Sequence, residues 1–213
     1  GMKDGIYLIG GGGHGRVVLD TARAAGLEVA GVVDPGPALN ETILGIPVIG
    51  GDEVLEHWAS GTRWLNGIGA NPSLARRRTM FKSLSARFEP MPLCHPSAII
   101  GGDCRIGQGA QLMAGIVVQT GTVICENTVI NTAASVDHDC QIGAHCFIGP
   151  RATLCGEVRI GEGSFIGAGA VILPGVQIGT GALIGAGALV NRDVPDGVQV
   201  RGNPARNIGS IKS

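Results

Sequence analysis

A six-residue period runs without a break through the second half of the chain and restricts its fold more than any other feature. Stepping by six from Ile100, the residues are Ile100, Ile106, Leu112, Val118, Ile124, Ile130 and so on to Val190, sixteen aliphatics in sixteen positions. Four residues after each stands a compact or aliphatic residue, from Cys104 and Ala110 through Cys140, Cys146 and Ser164 to Val194. Glycine directly follows the aliphatic in eight of the sixteen hexads, including Gly101, Gly143 and Gly185. An α-helix with 3.6 residues per turn cannot hold a six-residue period on one face, and an alternating strand would be apolar at every second residue. The period therefore calls for a chain that turns a corner every six residues, with the aliphatic inward, the small residue fitting a corner and glycine taking the sharp turn.

The pattern resembles the hexapeptide repeat of left-handed parallel β-helices, in which three hexads close one triangular coil. Sixteen hexads give just over five coils, a column of roughly 25 Å at the usual strand spacing. Composition agrees. Glycine supplies 37 of 213 residues and aromatics only 3%, as a narrow prism lined by small and aliphatic side chains requires. Collagen is excluded because no Gly-X-Y period runs through the chain, and disorder because 44% hydrophobic content at a net charge of -1 can build a core. The charge balance gives no argument for a nucleic-acid partner, and the local basic run Arg76–Arg78 reads as a solvated helix face. No apolar run is long enough for membrane insertion. The six cysteines form no CxxC pair, so they read as reduced thiols of a cytoplasmic protein rather than as disulfides or a metal site.

Residues 1–96 read differently. A short apolar run, Ile6 to Ile9, ends in Gly10-Gly11-Gly12-Gly13-His14-Gly15. A helical pattern follows from Arg16 to Ala25, then a second apolar run, Val29 to Val33, that ends at Asp34. Further strand-like pieces are Ile46–Ile49 and Trp64–Ile68; helical pieces lie at Asp52–Trp58 and Pro72–Leu84. Alternating β and α elements predict a Rossmann-like α/β unit with a parallel sheet. The loop matches G-x-G-x-x-G at Gly10, Gly12 and Gly15, with an acid nineteen residues on. Strand, glycine turn and helix in that order suit phosphate binding at a helix N-terminus. About four strands are too few for two mononucleotide halves, so one nucleotide fits better than a dinucleotide.

Together the halves resemble the bacterial acetyltransferases that modify nucleotide-activated amino sugars, and the related sialic acid O-acetyltransferases. The resemblance rests on Gly-Gly-Gly-His-Gly at 11 to 15, His95-Pro96-Ser97-Ala98, Asn131-Thr132, His138-Asp139-Cys140, Ile148-Gly149-Pro150 and Gly202-Asn203-Pro204-Ala205-Arg206. It implies two domains: residues 1–96, binding a UDP- or GDP-linked amino sugar, and residues 97–213, a β-helix binding acetyl-CoA between the subunits of a homotrimer. It also implies roles. His138 would be the base and Asp139 its orienting acid, with Asp137 an adjacent alternative. Asn131, Phe147, Gly156, Ala168 and Ala186 would contact acetyl-CoA, the Gly156 N–H suiting an oxyanion. Gly12, Gly13, His14, Asp34, Pro35, Gly69 and Asn71 would hold the nucleotide-sugar. One position departs from the pattern: Phe147 stands where many relatives carry a second histidine, and His145, two residues earlier, reads as an ordinary surface histidine.

The residues suit this chemistry. An ammonium cannot attack a thioester until a base removes its proton, and a histidine titrating near 6.5 can take it. His138 lies two residues past the inward Val136, at a site that faces away from the prism. The expectation is an acetyl-CoA-dependent N-acetyltransferase without a metal, serving surface glycan synthesis. The alternatives are O-acetylation of a sialic acid, a binding scaffold without turnover, and an NAD-binding regulator.

Overall fold

The computed structural model describes residues 5–39 and 41–210. The chain divides into two compact units, Gly1–Cys94 and His95–Ser213.

The first unit is an α/β sheet. Strand β1 (Ile6–Ile9) lies between β2 (Val29–Val33) and β5 (Arg63–Asn66), parallel to both. The full order is β3-β4-β2-β1-β5-β6, with β3 at Thr42–Ile43, β4 at Ile46–Gly50 and β6 at Glu89–Pro90. The chain winds outward from β1 through β2 to β4, then returns to the other side of β1 as β5. That reversal makes a crevice at the C-terminal ends of β1 and β5, the place where open α/β sheets bind ligands. Two helices cross the unit, α1 (Gly13–Ala24) and α2 (Ala75–Leu84), and a short 3₁₀ turn spans Asp52–His57. Tyr7, Trp58, Trp64, Phe81 and Phe88 share one core, so most of the chain's few rings are concentrated here.

Several details depart from the sequence reading, among them α2, which begins at Ala75 rather than Pro72. Helix α1 begins at Gly13 rather than Arg16, because packing sets its start: a Cβ on Gly15 would run into the Gly10 carbonyl, a fit that only glycine allows at the strand-to-helix turn. The basic run also splits. Arg76 and Arg78 are exposed, but Arg77 is 1% exposed.

The second unit is a parallel β-helix of triangular section. Its strands are two residues long and pair with partners eighteen residues on. One face stacks Gln111, Val129, Phe147, Phe165 and Leu183. The second stacks Ile99, Val117, Ser135, Thr153, Val171 and Leu189, and the third Arg105, Val123, Gln141, Arg159 and Gln177. The residue after each of these points inward, and from Leu112 to Val190 the inward aliphatics form one continuous buried core. A hairpin of Val198–Arg201 with Arg206–Ser210 ends the stack.

The small inward residues do more than fill space. Thr128 Oγ1 donates to the Gly143 carbonyl at 2.7 Å and accepts from Cys146 N at 3.0 Å. Ser164 makes the same pair with the Gly179 carbonyl and Ala182 N. Burial pushes the Cys140 thiol up to about 11, so it sits in the prism as a neutral donor, bonding the Cys155 carbonyl at 3.2 Å.

Glycine has two jobs in the coil: the sharp turn, which falls two positions past the place after the aliphatic that the sequence suggests, and a second job at that place itself. Those glycines have ordinary backbone angles; their constraint is space. A Cβ on Gly107 would lie 2.5 Å from Glu126 N of the next coil, and one on Gly167 2.5 Å from Ala186 N. The left-handed residue of each corner comes two positions later, in every hexad from Asp103 to Gly187. From Asn127 to Glu157 this position is never glycine: Asn127, Ala133, Asp139, His145, Arg151 and Glu157 all take positive φ. Such residues adopt that conformation at some cost in strain. The run of exceptions coincides with the coils that carry His138 and Gly156.

Candidate active site

The β-helix has three corners, each repeating every eighteen residues. The corner between the second and third faces carries His138 and Gly156 at equivalent positions of successive coils. Asp139 turns the chain with φ 56, which throws its carboxylate beside the preceding side chain. Its Oδ2 lies 2.9 Å from His138 Nδ1. A carboxylate only accepts, so Nδ1 carries the hydrogen and Nε2 presents its lone pair. Asp137 Oδ1 accepts from the backbone N–H of His138 at 2.7 Å. Asp139 thus holds the ring and Asp137 the turn, which separates the two acids that the sequence left as alternatives. Thr122 adds a brace from the coil before, donating to the Asp137 carbonyl at 3.1 Å.

Two glycines make room for the pair. A Cβ on Gly156 would meet His138 Nε2 at 2.5 Å and Cε1 at 2.8 Å, so the imidazole lies across Gly156. A Cβ on Gly121, one coil earlier, would strike the Asp139 carboxylate. The Gly156 amide N–H makes no hydrogen bond among the described residues, leaving it as a donor next to the ring. The hydrogen bond that Nδ1 donates to Asp139, with smaller contributions from the charges of Asp137, Asp139 and Glu157, raises the His138 pKa above its ordinary 6.5. The imidazole side chain is half exposed and open to a substrate.

The other residues expected to contact acetyl-CoA lie elsewhere on the coil. Ala168 and Ala186 are exposed and stacked one coil apart on the corner between the first and second faces, with Asn131 just before the same corner. Asn131 Oδ1 accepts from Thr132 N at 2.7 Å. Within one chain, these three residues and the His138–Gly156 corner sit at opposite edges of the second face. Phe147 is 7% exposed and stacks on Phe165 with ring centroids 5.4 Å apart. His145 is not on the surface: it is 2% exposed and bonded through Nδ1 to the Asn127 amide at 3.0 Å. Nothing in a single sequence separates such a turn-buried histidine from an exposed one at the same position of the repeat. The broad groove on the third face, about 720 Å³, is lined by Arg105, Gln141, Arg159 and Gln177 and includes neither His138 nor Ala168. In the first coil, His95 and Ser97 form a cap: His95 Nδ1 accepts from Ser97 N at 3.0 Å and Ser97 Oγ from Gly115 N at 3.0 Å.

In the α/β unit the glycine loop and the loop after β5 meet at the crevice. Gly12 caps α1, and Gly12 and Gly13 are exposed. A Cβ on either would meet nothing within 4 Å, so packing does not demand glycine at these two positions. The first-turn amides of a helix lack intrahelical acceptors, which leaves them for an anion. Asp34 does not simply extend into the crevice: Oδ2 accepts from Gly11 N at 2.6 Å and Oδ1 from Gly36 N at 2.8 Å, which ties the glycine loop to the end of β2. Pro35 and Asn71 are exposed. Gly69 lies against His14, whose Cβ would be 3.0 Å from a Cβ on Gly69.

A corner histidine on a hexapeptide coil, oriented by a carboxylate and lying over an available amide, defines a hexapeptide-repeat acyltransferase. Known proteins agree on both units. The PglD N-terminal domain matches residues 5–84, and the bacterial transferase hexapeptide model (six repeats) matches residues 121–156 and 157–192. PerB from Caulobacter crescentus, solved with CoA and GDP-perosamine, is 41% identical and superposes with a TM-score of 0.86 over 96% of this chain and 97% of its own. The acetyltransferase domain of PglB from Neisseria gonorrhoeae, solved with acetyl coenzyme A, is 37% identical with a TM-score of 0.88, over 97% and 100%. GDP-perosamine N-acetyltransferase from Escherichia coli O157:H7 is 37% identical over 96 residues, a match that spans 45% of the chain and 43% of that relative. The chain belongs to the family of bacterial nucleotide-sugar N-acetyltransferases, hexapeptide-repeat enzymes with a PglD-type N-terminal domain.

Proposed function

We propose that the protein transfers acetyl from acetyl-CoA to the amino group of a nucleotide-linked amino sugar, a GDP- or UDP-linked 4-amino sugar. The observation that carries this reading is the His138 imidazole, held through Nδ1 by Asp139 with Nε2 over Gly156.

His138 Nε2 removes a proton from the sugar ammonium, giving the amine a lone pair. As the new C–N bond forms at the thioester carbon, charge gathers on the carbonyl oxygen, where the Gly156 N–H can donate to it. The C–S bond then breaks as the proton on Nε2 goes to the departing thiolate, and the attacking nitrogen gives up its second proton to solvent, so one turnover yields the amide, CoA thiol and one released proton. Asp139 keeps the ring in the productive tautomer and stabilises the imidazolium that forms. In the α/β unit, Gly12 and Gly13 leave room for close approach of a phosphate, with the α1 N-terminus as its donor. His14, Asp34, Pro35, Gly69 and Asn71 line the rest of the nucleotide-sugar site.

The separation of the two corners supports a homotrimer. Asn131, Ala168 and Ala186 reach the acetyl-CoA used by His138 only if they come from a neighbouring copy. All six cysteines are thiols rather than disulfides, which fits a cytoplasmic enzyme acting on a precursor of a surface glycan.

The test is release of CoA thiol from acetyl-CoA with a panel of acceptors: GDP-perosamine, a UDP-linked 4-amino sugar, and a sialic acid as hydroxyl acceptor. Turnover confined to the amino sugars is expected. Turnover only on the sialic acid, or acetyl-CoA binding with no transfer to any acceptor, would reject the reading. Light scattering should return the mass of three chains in solution; a monomer that retains full turnover would remove the trimer.

A further inference from the structure

Arg77 is used by neither the base nor the cofactor contacts, yet it is the one residue of its basic run that the fold buries. Burying a guanidinium is costly unless its donors are satisfied, and burial pushes its pKa down to about 9, so it remains charged at neutral pH. Two of its hydrogen bonds go to one place. Nη1 of Arg77 donates to the Ile68 carbonyl at 2.7 Å and to the Asn66 carbonyl at 3.3 Å. Asn66, itself 3% exposed, completes the clamp: its Nδ2 donates to the Arg77 carbonyl at 3.4 Å, and its Oδ1 accepts from Ile68 N at 3.1 Å. Together the two side chains fix both carbonyls and one amide of the three residues by which the chain leaves β5.

This segment forms one wall of the crevice. A Cβ on Gly10 would lie 3.1 Å from Ile68 Cγ1 and 3.2 Å from the Gly67 carbonyl carbon, and Gly69 abuts His14. The glycine loop is therefore shaped against Gly67–Gly69. We propose that Arg77 is a positioning residue for the nucleotide-sugar site, anchoring the loop after β5 through its buried fork so that the crevice at β1 and β5 is preformed. The proposal rests on the reading that this crevice takes the nucleotide-sugar. The two N–H bonds of Nη1 are fixed in the guanidinium plane, whereas an ammonium keeps the charge but loses those fixed directions and a thioether loses both. Pre-forming a loop favours binding by removing an ordering cost from the bound state.

The experiment compares Arg77→Lys and Arg77→Met with the full-length protein, using GDP-perosamine and acetyl-CoA. KM for the nucleotide-sugar should rise at least tenfold in Arg77→Met and less in Arg77→Lys, while kcat and KM for acetyl-CoA stay within about twofold. Unchanged nucleotide-sugar KM in both variants would overturn the proposal. So would loss of both substrates' parameters in parallel with thermal stability, which is the signature of a merely structural arginine. Amide hydrogen exchange without ligand gives a second readout that also serves if Arg77→Met folds poorly. In Arg77→Lys, exchange should quicken at Gly67, Ile68 and Gly69 and stay unchanged in the β-helix; uniform or absent change would reject the clamp. If the wild-type protein turns over no nucleotide-linked amino sugar, the functional reading fails, and the exchange pattern still decides the role of Arg77.

Discussion

The two units solve the placement of reactive groups in opposite ways. In the β-helix, position along the chain almost dictates position in space: a residue's place in its hexad says whether it points inward, turns a corner or stacks on a face. In the α/β unit, the crevice is assembled from segments far apart in sequence, the loops after β1, β2 and β5, held by Asp34 and Arg77 through hydrogen bonds that no period announces. In the proposed function, the coil gives the base His138 a rigid address, and the sheet gives a nucleotide-sugar a shaped wall.

This contrast can be broken by substitution. The largest effect should follow removal of an inward aliphatic: Leu154→Ala, at a site with 0% exposure, should cost about 2–5 kcal/mol in denaturant unfolding because the stacked coil cannot collapse around the void. A cost near zero would mean that the prism is not the stabilising core. Next comes Gly156→Ala. It leaves the fold intact but displaces the His138 ring, and kcat should fall on the order of 100-fold, with KM for the nucleotide-sugar held; an unchanged kcat would detach the ring's position from catalysis.

Asp139→Asn should also lower kcat, because the ring loses the acceptor that fixes its tautomer, and should have a diagnostic effect on pH. Because the carboxylate raises the folded pKa of His138 above 6.5, the neutral base is lost as pH falls through a midpoint above that value. The variant's acidic limb should move down toward 6.5. The stability linkage runs the other way: the charged pair contributes fully below the unfolded pKa of His138 and its contribution fades as pH rises through the raised folded value. An acidic limb that does not move would exclude His138–Asp139 as the titrating unit.

The smallest effect belongs to the α/β unit. Gly13→Ala enters open space in a helix, so stability should rise by up to about 1 kcal/mol. KM for the nucleotide-sugar should nevertheless increase several-fold, because the new methyl stands where the substrate approaches. A gain in stability with no change in KM would remove that loop from the site.

The same contrast explains how much was legible in sequence. The coil was readable because its period repeats one geometric rule, and His138 could be placed on an outward corner without coordinates. The burial of His145 was not, since a turn residue's exposure depends on the coil beside it, here Asn127. The role of glycine was half legible: its excess pointed to corners, but crowding between coils, not φ, fixes the glycines that follow the aliphatics. In the α/β unit the β1 and β2 runs were clear, while the short edge strands Thr42–Ile43 and Glu89–Pro90 carry too few residues to leave a pattern. In sequence Arg77 reads as part of a solvated face, because a run of three arginines looks uniform until packing selects one of them. The division of labour between Asp137 and Asp139 required the positive φ at Asp139, which the identity of the residue alone does not specify.

In the proposed mechanism a corner of the coil supplies the base, and the steady-state kcat of His138→Ala, with saturating acetyl-CoA and nucleotide-linked amino sugar at neutral pH, bears on this without intermediaries. A fall of about 100- to 10,000-fold is expected, with both KM values and the melting temperature nearly unchanged; a variant that keeps the wild-type kcat would remove His138 as the base.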